Sequence, residues 1–96
     1  MFDEKEIYNE ALKKWGEREQ SAVAMEECGE LIRAINKMHR CPSGENRLEL
    51  ISEIADVLIM IDQLMFIYDI KTEKINETRA FKISRLAERL EVINEK

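Results

Sequence analysis

Very little in this chain interrupts a helix, and very little of it is equipped for nucleophilic chemistry. Its 96 residues include one proline, three glycines, two cysteines and one histidine, and aromatic residues make up 6%. Scarce proline and glycine remove most of the residues that break helices or form tight turns. Cys28 and Cys41 are too far apart for a Cys-x-x-Cys motif, and His39 stands alone. This excludes a zinc site of the usual kind, a Ser-His or Cys-His catalytic set, and a di-iron bundle needing two Glu-x-x-His motifs. No apolar run reaches the length of a membrane span, and the opening MFDEKEIYNEALKKW has charges where a signal peptide has an apolar core. A net charge of −5 and a pI near 5.0 argue against a surface that coats nucleic acid. The expectation is a single domain over residues 1–96, cytoplasmic, with reduced thiols and neither membrane nor nucleic acid as partner.

What is present is apolar and charged residue in helical order. Hydrophobic residues reach 45% and charged residues 36%, a balance that suits an all-α protein. A first helix is predicted over 3–14, capped by Asp3, with Gly16 ending or bending it. A second runs over 17–38 and stops at HRCPSGEN, the clearest loop in the chain. A third covers 45–68, and a fourth, capped by Thr72 after a break at 69–71, reaches about 94. The third is apolar around most of its circumference, as expected of a helix buried by its own fold or by a second subunit. In a chain this short the second subunit is favoured.

Two pairs of carboxylates organise the sequence. Glu27 and Glu30 lie in AMEECGELIRAI, Glu53 and Asp56 in LISEIADVLIMI, and 22 residues separate the pairs. A three-residue spacing puts both members on one helical face, and the interval suits a hairpin that brings the pairs together. On the second helix Glu27 is flanked by apolar positions, whereas Glu26 faces the side bearing Arg33 and Lys37. On the third, Glu49, Ser52, Glu53, Asp56 and Gln63 share one arc of about 100°. Like charges at this spacing cost about 0.2–0.5 kcal/mol per pair even when exposed, so a cation is expected among them. Ligation by carboxylates alone suits a hard ion, above all Mg²⁺ where phosphates complete the shell, with Mn²⁺ as a substitute. The competing reading is a solvated acidic face.

Other residues carry two readings each. Lys82, Arg85 and Arg89 line one flank of the fourth helix, to meet an anionic substrate or to form surface ion pairs. Trp15 is a core anchor or, with Gln20, a wall of a base pocket. His39 and Arg40 complement a helix dipole or stand at the mouth of the site.

The pattern Glu27-x-x-Glu30 followed by Glu53-x-x-Asp56 resembles the signature of the MazG-like, all-α nucleoside triphosphate pyrophosphohydrolases. WGEREQ, EECGELIRAI, EIADVLIMIDQL and FKISRLAERL extend the likeness along the chain. The resemblance implies a four-helix bundle completed by homo-oligomerisation, as a homodimer or homotetramer. It implies Mg²⁺ held by Glu27, Glu30, Glu53 and Asp56, and cleavage of a (deoxy)nucleoside triphosphate into monophosphate and pyrophosphate. Glu27 is the choice for orienting water; Gln20, Trp15, His39, Lys82 and Arg85 are the candidate substrate contacts. The alternatives are a phosphoribosyl-ATP pyrophosphohydrolase and a non-catalytic acidic interaction module. Nothing in the sequence selects the base or sugar.

Overall fold

The structure, a computed structural model, describes residues 3–90. Three helices account for nearly all of it: α1 (Glu4–Arg40), α2 (Gly44–Ile67) and α3 (Thr72–Arg89), with no strand among the described residues. Asp3 caps α1 as expected, its side chain accepting from the Lys5 amide at 3.0 Å.

The first two predicted helices form one run with a break inside it. Gly16 has φ +87° and ψ 160°, so the glycine redirects α1 between residues 4–15 and 17–40. Without a Cβ it adopts a backbone conformation closed to other residues at low cost. The shorter arm folds against the far end of α2, where the Tyr8 hydroxyl donates to Asp62 Oδ2 at 3.3 Å. Just past the break, Ser21 Oγ and the Tyr68 hydroxyl share a hydrogen bond of 3.0 Å.

A connector of Cys41, Pro42 and Ser43 joins α1 to α2. Ser43 Oγ accepts from the Asn46 amide at 3.0 Å, and Asn46 Nδ2 donates to the Cys41 carbonyl at 2.8 Å, so side chains satisfy both sides of the turn. At the other end of α2, Asp69 takes φ 54° and the Ile70 amide donates to the Met65 carbonyl at 2.9 Å. This is a Schellman-type stop with aspartate at the left-handed position. Thr72 begins α3 instead of capping it; Lys71 holds the cap position without a side-chain bond. The stretch from 91 to 94, predicted as helix, lies outside the described residues.

The helices α1 and α2 pack as an antiparallel hairpin, whereas α3 makes almost no contact with either. Among the described apolar residues only Ala11, Ala24, Ala34 and Met60 are buried. The small alanine side chains let the two helix backbones approach closely. The radius of gyration is 17.2 Å, against about 12–13 Å for a compact domain of this length. The all-helical expectation holds, but the described residues show three helices in place of four, as a hairpin and a separate third helix.

Candidate metal centre

Halfway along the hairpin, α1 supplies Glu27 and α2 supplies Glu53 and Asp56. One carboxylate oxygen from each lies within 4.8 Å of the other two, and all three residues are half-buried. They meet because the short connector fixes the antiparallel register, and because Glu53 and Asp56, three residues apart, project from one face of α2. Glu30, the fourth carboxylate of the doubled pattern, stands outside the group. It is exposed, and Arg33 Nη1 lies 3.6 Å from its Oε1 across one turn of α1.

Glu53 is the central member. Its Oε1 is shut off from solvent and has no hydrogen-bond partner. Burial pushes its carboxyl above the usual range, and the charges of Asp56, Glu27, Glu30 and Glu49 push it further. A buried polar atom without a partner is costly. A hard cation among the three oxygens would satisfy it and oppose the mutual repulsion. The donor set is all oxygen, with no nitrogen or sulfur, which fits Mg²⁺ or Mn²⁺ and not a softer metal.

The remaining sequence candidates are scattered. Gln20 is 6% exposed, the one buried polar residue described, and lies two helical turns before Glu27 on the same face. Trp15 is 54% exposed, next to the Gly16 break, with Lys14 Nζ 5.3 Å from its ring centroid; it is no core anchor within this chain. His39 and Arg40 are exposed in the last turn of α1. Lys82 and Arg85 are exposed on α3, with Arg85 over the Phe81 ring at 5.9 Å. Since α3 stands off the hairpin, neither cation meets the carboxylates within one chain.

Two residues that the sequence candidates omitted lie beside the cluster. Lys37 Nζ donates to both oxygens of Glu49, at 2.9 and 3.1 Å, and so ties α1 to α2. Glu49 falls four residues before Glu53 on the same arc, a usable signal. Its pairing with Lys37 depends on the hairpin register, which no single helix reveals. A cavity of about 590 Å³ lies elsewhere, lined by Glu4, Tyr8, Asp62, Phe66 and Asp69 among others, and includes none of the clustered carboxylates. No helix of the described residues is long and apolar enough to cross a membrane.

Compared with known proteins, the chain matches no curated protein and no solved structure at a significant level. A family model, described as the MazG nucleotide pyrophosphohydrolase domain, matches residues 16–90, from the Gly16 break to the end of the described chain.

Proposed function

The chain belongs to the MazG nucleotide pyrophosphohydrolase domain family, and from that premise we propose that it hydrolyses a (deoxy)nucleoside triphosphate to monophosphate and pyrophosphate in a Mg²⁺-dependent reaction. The observation that carries this reading is the convergence of Glu27, Glu53 and Asp56 around the unpartnered Glu53 Oε1. These three carboxylates are the proposed metal ligands, with Glu30 joining them once released from Arg33. Mg²⁺ held there would supply charge neutralisation on the phosphates and activation of water. The chain's own contribution is placement. Glu53 and Asp56 hold one side of the site from α2, and Glu27 reaches in from α1 to orient the attacking water and accept its proton. Water adds across the α–β phosphoanhydride, the bridging P–O bond breaks, and pyrophosphate leaves with the bond's electron pair. A phosphoanhydride already has a good leaving group, so positioning and electrostatics suffice and no covalent nucleophile is needed.

Gln20 and Trp15 are proposed to line the base pocket, and His39 to stand at the mouth of the site. Lys82 and Arg85 reach the phosphates from α3 of a second copy. A homodimer or homotetramer would complete the four-helix arrangement by covering apolar residues that α2 and α3 leave exposed, among them Leu58, Phe81, Ile83 and Leu86. The proposed setting is the free nucleotide pool of the cytoplasm.

The test is pyrophosphate release from the eight common NTPs and dNTPs, and from phosphoribosyl-ATP, with and without Mg²⁺. Metal-dependent turnover of free triphosphates is expected. Turnover of phosphoribosyl-ATP alone would move the protein to the histidine-synthesis reaction, and no turnover together with no Mg²⁺ binding would leave an acidic interaction module.

A further inference from the structure

Lys37 and Glu49 form the only salt bridge that joins α1 to α2 among the described residues. It is bidentate, and its side chains are 48% and 40% exposed. A partly exposed pair of this kind adds little to stability, so its placement is the informative part. Glu49, Glu53 and Asp56 follow one another at i, i+4 and i+7, and therefore form one carboxylate row along α2. Glu53 and Asp56 face Glu27 across the hairpin; Glu49, one turn away, is turned to Lys37. Even in this pairing, Glu49 contributes to the field that raises the Glu53 carboxyl.

We infer that Lys37 is a positioning residue that sets the cation affinity of the neighbouring site, by engaging both oxygens of Glu49 and keeping that carboxylate out of the Glu27/Glu53/Asp56 cluster. The inference rests on the cluster being the Mg²⁺ site. Its physical content is a balance. Lys37 cancels most of the Glu49 charge, so the ion experiences the charge of the cluster without the full addition of a further carboxylate. A cation held less tightly exchanges with its phosphate ligands more readily, which suits an ion that must engage a triphosphate and then release pyrophosphate.

The sign of the effect separates this role from a structural one. Loss of an interhelical tie loosens the hairpin and weakens metal binding, whereas loss of the Lys37 charge exposes Glu49 and strengthens it. Titration calorimetry with Mg²⁺ alone, at low ionic strength, is the test. Lys37→Met is expected to tighten Mg²⁺ binding roughly two- to fivefold, the size of a unit charge about one helical turn from a divalent ion. Glu49→Gln, which leaves Lys37 unpaired, is expected to weaken binding by a similar factor. The double variant should return to within about twofold of the wild type, because it restores the net charge. All three effects should shrink in high salt. Unchanged or weaker binding in a folded Lys37→Met protein overturns the inference, as does a Glu49→Gln variant that binds more tightly. Should Lys37→Met not fold, the salt dependence of the Glu49→Gln loss decides: a loss that shrinks in high salt is the charge effect, and one that persists undiminished is the broken tie and overturns the inference. Absence of Mg²⁺ binding to the wild type would instead strike at the site itself.

Discussion

The α1–α2 hairpin and α3 come from the same chain and are held together by opposite means. Within the hairpin, partners are intramolecular: alanines let the helices close, Tyr8 and Ser21 tie one end, Lys37 and Glu49 tie the other, and three carboxylates meet between. Along α3 no residue is buried, and Phe81, Ile83 and Leu86 are 63%, 56% and 49% exposed. Yet α3 is the more regularly amphipathic element, with apolar residues at seam spacing and charges sorted to either side. An ordered face with so little against it among the described residues is the kind of surface a second copy, as proposed above, would cover. The hairpin is where the carboxylates are gathered, and α3 is where the apolar face is left uncovered among the described residues.

Substitutions should therefore fall into two groups, and the largest effect belongs to the hairpin. Glu53→Gln keeps size while deleting charge; turnover is expected to fall by roughly two orders of magnitude or more, with the helical circular dichroism unchanged and the Mg²⁺-induced rise in Tm abolished. Full activity in that variant would remove Glu53 from the site. On α3, the double change Ile83→Ser and Leu86→Ser should leave Mg²⁺ binding by the hairpin intact and dissociate the proposed oligomer. Burying such side chains is worth about 1.5–3 kcal/mol each, so light scattering against concentration should show the dissociation constant raised roughly a hundredfold or more. An equal loss of metal binding would erase the distinction between the two regions.

A third substitution acts on the hairpin's own shape. Gly16→Ala meets no steric obstacle, since nothing lies within 4 Å of an added Cβ, but places alanine at φ +87°. The expected cost is about 1–3 kcal/mol, read as a lower urea midpoint with an unchanged slope. The smallest effect concerns pH. The Glu53 carboxyl is raised in the folded chain by burial and then by its acidic neighbours, so between its unfolded and folded values the native state binds the extra proton. Its contribution to the stability of the metal-free protein therefore falls as pH rises through that window and stays low above it. Glu53→Gln should accordingly raise the Tm of the metal-free protein at neutral pH and leave it unchanged below the unfolded carboxylate range. A metal-free melt in which the variant shows no gain at neutral pH would count against crowding at Glu53.

These contrasts also mark what could be read in advance. The hairpin turn was legible because Pro42, Ser43 and Gly44 form the one cluster of turn-forming residues, and Ser43 caps α2 through a local bond. Gly16 was legible as punctuation, but whether it ends a helix or redirects one depends on a φ set by tertiary packing of the Tyr8 arm. The doubled acidic spacing identified which helical faces would meet. It did not distinguish Glu30, which turns to Arg33, from Glu49, which lies in the same row as Glu53, because helical phase says nothing about partners on another helix. For α3 the apolar face could be found by periodicity alone, whereas its depth of burial could not, because periodicity says nothing about what packs against a face.

The connector of Cys41, Pro42 and Ser43 has a consequence that reaches the carboxylate cluster. It works as a gauge block: its length, and the bonds from Asn46 that brace it, set the opposing level on α2 for every position on α1. Rotation about an α-helix is about 100° per residue, so one extra residue slipped into the start of α2 would swing Glu53 and Asp56 a quarter-turn away from Glu27 while leaving both helices intact. The meeting of the three carboxylates would be lost without a single one of them having been replaced.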